Sequence, residues 1–117
     1  MGRRDRNEIG SRLLVLLVHL LKWIYQPEGR TPSWKRTIRE QRKQIARLLR
    51  SMPSLQDHPK SIFPSRYGRA RIAAADETGL GLDAFPEVPP MSIGQALDPS
   101  PTFQEIRPMS TGTRLAR

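Results

Sequence analysis

Few residues of this 117-residue chain have the types and spacing that chemistry needs. Its two histidines, His19 and His58, lie far apart, and no carboxylate is spaced to complete a metal-binding triad with them. Asp76 and Glu77 end a predicted helix without any partner pattern. No glycine-rich phosphate loop, HExxH or GxSxG motif is present. We therefore expect no catalytic residue, no metal ligand and no cofactor site, and we expect that the protein is not an enzyme.

The chain also contains many basic side chains that could bind a ligand, and they are concentrated in residues 31–55. At about 100° per residue, one arc of a helix contains Trp34, Ile38, Gln41, Ile45, Leu48, Leu49 and Met52. The adjoining arc contains the predicted basic face, which consists of Lys35, Arg36, Arg39, Arg42, Lys43 and Arg47, with Arg50 beside it. Thr31 and Pro32 are a helix start signal, and Pro53 is a stop signal. The pattern predicts an amphipathic helix.

Like charges recur four residues apart along the predicted basic face, as in Lys35–Arg39 and Lys43–Arg47. Each such pair costs roughly 0.2–0.5 kcal/mol in an isolated helix, and Glu40 offsets only part of this repulsion. We therefore expect something acidic against this face: a partner protein, an acidic helix of the same fold, nucleic acid or an anionic membrane surface. The alternative is a solvated basic surface without a ligand, because surface charge costs little.

The excess charge is confined to one half of the chain. Residues 1–60 contain 14 basic residues (Lys and Arg) and 5 acidic ones (Asp and Glu). Residues 61–117 contain 6 basic and 6 acidic residues. A chain this basic adheres to polyanions whatever its biological role. Cysteine is absent, which excludes disulfides, thiolate metal sites and cysteine nucleophiles and is compatible with a reducing compartment. We expect a cytoplasmic protein.

Residues 13–21 read LLVLLVHLL and follow four arginines. A basic leader before an apolar run is typical of a secretion signal, but no small-residue cleavage site follows. The run is also shorter than the ~20 residues that a membrane span needs. On a helix, the polar residues form one stripe, which consists of Glu8, Arg12, His19, Lys22 and Gln26 and is broken by Val15. Apolar side chains cover most of the remaining circumference, which favours a helix buried in the middle of a bundle. Membrane-surface binding is a further alternative, and we expect it to be the weaker one.

The second half of the chain is rich in proline. A helix is predicted from Ser65 to Thr78, because Pro59 and Pro64 prevent a longer one, and Gly79 is placed to end it. Ser92 and Gln95 form a capping-box pair that opens a short helix to about Leu97. These elements predict an all-α fold, a small helical bundle over residues 1–97, followed by a disordered tail over residues 98–117.

Two tryptophans flank the connection between the first two helices. Trp23 and Trp34 are predicted to anchor the packing of two antiparallel helices. The alternative is an aromatic platform on which single-stranded nucleic acid stacks, to which Tyr25 would also contribute.

Several strings resemble the bacterial domain-of-unknown-function family 29, known mainly from cyanobacteria and proteobacteria. They are HLLKWIYQP at 19–27, SWKRTIREQR at 33–42, PSL at 53–55, ETGL at 77–80 and FPEVPPMSIGQAL at 85–97. The resemblance implies an all-helical fold and carries no known activity or catalytic residue. Family members usually have an acidic, leucine-rich helix before the position of Arg3. We therefore hypothesise a truncated chain or a gene start placed too far downstream, because the other helices offer too little apolar surface to cover residues 13–21.

Two functions follow as hypotheses. The first is a non-enzymatic interaction protein whose apolar helix and basic helix bind an acidic protein segment or a second copy of the chain. The alternative is sequence-tolerant binding of nucleic acid through the basic helix, residues 35–50. Each phosphate neutralised on duplex DNA would contribute roughly −0.9 to the log–log salt slope.

Overall fold

The computed structural model describes residues 2–99. It is an all-α fold of three long helices and one short helix, as predicted. The helices are α1 (Gly2–Tyr25), α2 (Pro32–Ser51), α3 (His58–Thr78) and α4 (Ile93–Leu97), and single turns of 3₁₀ helix lie at Pro27–Gly29, Pro53–Leu55 and Leu82–Ala84. The predicted disorder of residues 98–117 falls, beyond Pro99, outside the described residues.

The apolar helix α1 is the centre of the bundle, because its large side chains are buried on nearly every side. Those exposed by 1% or less are Ile9, Leu13, Leu16, Leu17, Leu20 and Leu21. Burial of each such side chain stabilises the fold by about 1.5–3 kcal/mol. The prediction of a core helix is confirmed. The expectation that the rest of the chain could not cover this helix is wrong, since α2, α3 and the segment after α3 enclose it.

The three long helices run up, down and up. Ile9, near the start of α1, packs with Leu48 near the end of α2 and with Leu55 in the following turn. Lys22, near the other end of α1, contacts Trp34 at the start of α2 and Glu77 at the end of α3. No helix among residues 2–99 is long and apolar enough to span a membrane.

Helix α2 begins and ends where the sequence predicts. The Thr31 side chain accepts a hydrogen bond from the Trp34 backbone N–H at 3.1 Å, and Pro32 occupies the first helical position, where an N–H would have no partner. The helix ends at Ser51, two residues before Pro53. Its buried side chains are Ile38, Arg42, Ile45 and Leu48.

Helix α3 is longer than predicted. It begins at His58 rather than at Ser65, so Pro64 lies inside it. A proline in a helix interior removes one hydrogen bond and costs about 3 kcal/mol or more. Pro59 sits in the first turn, where its missing N–H costs nothing. The prediction that these prolines exclude a helix before residue 65 is wrong.

Packing against α1 explains why α3 continues through Pro64. Ile62 and Phe63, just before the proline, pack against the core, and Tyr67 in the next turn is 2% exposed. Arg66 lies across α1 at Gly10, where its Nε is 3.4 Å from the Gly10 carbonyl oxygen. A Cβ at Gly10 would lie 2.5 Å from the Arg66 Nη2 atom, so a side chain at this position would displace the end of the Arg66 side chain.

The chain after α3 folds back over the bundle as a segment that we call the C-terminal strap, residues 80–97. Phe85 is fully buried, and its ring meets that of Tyr25 edge to face, with centroids 5.6 Å apart. The Tyr67 hydroxyl donates a hydrogen bond to the Pro86 carbonyl at 2.6 Å. Burial raises the pKa of Tyr67 to about 12, so the phenol keeps the proton that it donates.

Local signals mark the end of α3, just before the strap, and the start of α4 within it, both as predicted. Gly79 ends α3 in the left-handed conformation, with φ 77°, which L side chains rarely adopt. Ser92 and Gln95 form a reciprocal capping box, in which the Ser92 hydroxyl accepts from the Gln95 N–H and the Gln95 side chain accepts from the Ser92 N–H. The Met91 side chain, which precedes α4, is 1% exposed.

A buried cation joins the three long helices at one end of the bundle. Lys22 is 8% exposed, and its Nζ lies 2.9 Å from a Glu77 carboxylate oxygen and 4.8 Å from the centre of the Trp34 ring. An ammonium group in this position is held by an ion pair on one side and by a cation–π contact on the other.

Replacing Lys22 by Ala should lower the free energy of unfolding by about 1–2 kcal/mol, since it removes both the cation–π contact and the ion pair. The matched control is Lys60→Ala on the exposed surface of α3, which should change stability by less than about 0.5 kcal/mol. Urea denaturation followed by circular dichroism measures both. Equal stabilities of the two variants would show that Lys22 is not a link between the helices.

Candidate interaction surface

Helix α2 presents a row of cations on the side opposite to the core. We call it the exposed basic face, and its six members are Lys35, Arg36, Arg39, Lys43, Arg47 and Arg50, all of them exposed. From the first to the last it extends about 22 Å along the helix, at 1.5 Å per residue. From Arg36 onward, successive members are three or four residues apart, and Lys35 lies four residues before Arg39, so each side chain has a neighbour on one surface.

One acid, Glu40, lies at the edge of this face. Its carboxylate accepts a hydrogen bond from the Gln44 side-chain amide at 2.7 Å, and the oxygen of that amide accepts one from Arg47 Nε at 2.9 Å. Gln44 therefore links the Glu40 carboxylate to Arg47 along one edge of the helix. Glu40 was expected to offset part of the repulsion between the cations. Because it lies at one edge of the exposed basic face, it acts on that edge only.

Arg42 was predicted to lie on the basic face, and this prediction is wrong. Arg42 is 4% exposed. Its Nε donates a hydrogen bond to the Ala96 carbonyl at 2.8 Å, and its Nη2 donates one to the Gln95 carbonyl at 3.3 Å. These are carbonyls of the last turn of α4, whose outward dipole favours a cation. The guanidinium thus holds the end of the C-terminal strap.

The position of Arg42 on the helical projection explains the error. It lies about 20° from Leu49 and about 20° from Lys35, on the boundary between the apolar and basic arcs. Burial lowers its pKa, and the nearby carboxylate of Asp98 opposes that effect. The boundary position is the one signal in the sequence that Arg42 could be buried. The carbonyl groups that accept its hydrogen bonds lie more than fifty residues away in the sequence, so no local pattern indicates them.

Further cations lie at the end of the bundle where α1 begins. Arg3, Arg4 and Arg6 are exposed, and they precede Ile9, which packs against Leu48. The first turns of α1 therefore lie at the same end of the bundle as the last turn of α2. Sequence reasoning missed these arginines as members of the charged surface, because it did not place the start of α1 beside the end of α2.

The two tryptophans lie at the connection between α1 and α2. Trp23 is 8% exposed, and the Arg30 guanidinium carbon lies 4.9 Å from the centre of its ring, while Arg30 Nε donates a hydrogen bond to the Trp23 carbonyl at 2.7 Å. Trp34 is partly buried against the core, with Lys22 over its ring. Both rings have a cation of the chain itself on one face, which is the geometry of packing rather than of an open stacking platform.

The histidines do not form a shared site. His19 is partly buried, and its Nδ1 lies 2.8 Å from the Val15 carbonyl oxygen. Its pKa is lowered mainly by burial, which disfavours the charged ring. Within residues 2–99 no three side chains of the His, Cys, Asp and Glu types are grouped to hold a metal ion.

Arg42→Ala should lower the free energy of unfolding by about 1–2 kcal/mol, because it removes charge-assisted hydrogen bonds to two carbonyls. Arg39→Ala is the matched control on the same helix, and it should change stability by less than about 0.5 kcal/mol. Denaturant titrations of the two variants make the comparison. A loss of stability in Arg39→Ala equal to that in Arg42→Ala would contradict the structural role of Arg42.

Comparison with known proteins gives a family. The family model described as Domain of unknown function DUF29 matches residues 1–101, a range that includes the four helices and the exposed basic face. The match confirms the resemblance inferred from the sequence. No curated protein and no solved structure matches the chain.

Proposed function

The chain belongs to the DUF29 family, whose description names no activity, and we propose that it is a non-enzymatic interaction protein of the cytoplasm. Its exposed basic face binds an acidic segment of a partner protein. The apolar side of α1, which the sequence suggested as a second binding element, is not part of this proposal because it is buried inside the bundle.

The observation that carries the proposal is the concentration of six exposed cations on one side of α2. Side chains three and four residues apart on a helix lie about 5–6 Å apart. Carboxylates repeated at the same spacing on a partner helix would therefore face the cations one by one. Such contacts in solvent contribute about 0.2–1 kcal/mol each, so several of them are needed for useful affinity.

Glu40 supports a protein ligand over a polyphosphate. A negative charge at the edge of the exposed basic face repels a phosphate backbone, which carries a single sign of charge. A protein segment, in contrast, can place a basic side chain opposite Glu40 and acidic ones opposite Arg39 and Lys43. Opposite charges arranged in this way give specificity as well as attraction.

A second candidate function is sequence-tolerant binding of duplex nucleic acid. The observation that favours it is the position of Arg3, Arg4 and Arg6, which adds cations at the end of the bundle where α2 ends. A longer basic surface can neutralise more phosphates, but no exposed aromatic side chain lies on the exposed basic face to stack with bases.

Arg39→Gln combined with Lys43→Gln should weaken binding of a fluorescent glutamate-rich helical peptide about three- to tenfold, because two charge contacts are lost. The matched control is Lys60→Gln combined with Arg69→Gln, two exposed cations of α3, which lowers the net charge equally. Fluorescence anisotropy of the full chain gives the dissociation constants.

Equal weakening by both pairs of substitutions would show that net charge alone governs binding, and would contradict the proposal. The same titration with a mixed-sequence DNA duplex tests the second candidate. Tighter binding to the duplex than to the peptide, with a salt slope of several units, would favour nucleic acid as the ligand.

A further inference from the structure

We propose that Arg42 is a hidden member of the binding surface, that α4 covers it in the structure described here, and that an acidic partner releases it. The inference rests on the proposed function, since it concerns the regulation of the same surface. Arg42 lies three residues after Arg39 and four before Ala46, an exposed and small residue. Without α4 its guanidinium would join the edge of the exposed basic face.

The contact that covers Arg42 has the chemistry expected of an acidic ligand. The last carbonyls of α4 carry the negative end of the helix dipole, and two of them accept hydrogen bonds from the guanidinium. The charge of Asp98 adds to that field at Arg42. The end of the strap therefore acts as an anionic group of the chain itself, bound at the edge of the exposed basic face.

Helix α4 is also the part of the strap that can open most easily. It has only five residues, too few for a helix to persist without tertiary contacts. Of its side chains Ala96 is buried, and Ile93 and Leu97 are partly buried against the core. The preceding anchors, Phe85 and Met91, are exposed by 1% or less, so α4 can leave while the rest of the strap stays in place.

An acidic partner can compete with the end of α4 for Arg42. Carboxylates of a partner offer Arg42 a full negative charge in place of the partial charges on two carbonyls. Local opening of a short terminal element lies at the low end of the stability range of a protein. A partner that binds Arg42 therefore shifts the population toward the open form, to the extent that it prefers that form.

The first experiment uses the unmodified full chain and the glutamate-rich helical peptide. The Ala96 and Asp98 amides donate hydrogen bonds to the Ser92 and Gly94 carbonyls, so their hydrogen exchange reports on α4. We expect both amides to exchange at least several-fold faster when the peptide is bound. Unchanged or slower exchange at full saturation with peptide would overturn the proposal.

The second experiment opens α4 by substitution. Ala96→Gln places a larger, polar side chain at a fully buried position, which expels α4 without changing the net charge. We expect it to bind the peptide about threefold more tightly than the unmodified chain, by about the amount of one added charge contact. The gain should vanish when Arg42→Gln is combined with it.

Gly94→Gln is the matched control, because a Cβ at Gly94 would meet only the Ser92 hydroxyl, at 3.7 Å. It should leave both affinity and exchange unchanged. If the unmodified chain binds the peptide while Ala96→Gln gives no gain, the inference about Arg42 fails and the proposed function stands. If neither the unmodified chain nor Ala96→Gln binds the peptide, the proposed function fails, and this inference fails with it.

Discussion

Nearly the whole circumference of α1 is apolar, and the removal of that surface from water constrains every other element of the fold. A helix of this kind is stable only when neighbours enclose it. Helices α2 and α3 cover two sides, and the C-terminal strap closes a third with Phe85 and Met91. Each of these elements therefore turns its apolar side inward. The same requirement keeps α3 helical through Pro64, because Ile62 and Phe63 contact the core immediately before it.

The enclosure of α1 also determines which cations of the bundle are buried and which are exposed. Since α2 contributes one apolar arc to the core, its cations are left on the opposite arc, where water solvates them. Cations that lie inside the bundle have specific partners: Lys22 has Glu77 and the Trp34 ring, and Arg42 has the carbonyls at the end of α4. Buried cations thus connect elements of the fold, whereas the exposed cations of α2 form one continuous surface.

Signals that act within one or two turns of the chain predicted most of the architecture. The cap at Thr31, the left-handed end of α3 at Gly79 and the amphipathic pattern of α2 all appear in the structure as expected. The start of α3 was predicted wrongly because local propensity at Pro64 gives way to packing against α1. The exposed basic face was predicted except for Arg42, whose partners come from a distant part of the chain. Such a contact has no local signal beyond the position of the residue on the edge of an arc.

The central claim is that this chain encloses its own apolar helix and therefore presents the exposed basic face to solvent. Light scattering combined with circular dichroism over a dilution series of the full chain tests it most directly. The account predicts the mass of one chain and an undiminished helical signal down to the lowest concentration. Loss of helical signal on dilution, together with a mass of two or more chains at high concentration, would contradict it, since α1 would then need a second copy to cover it.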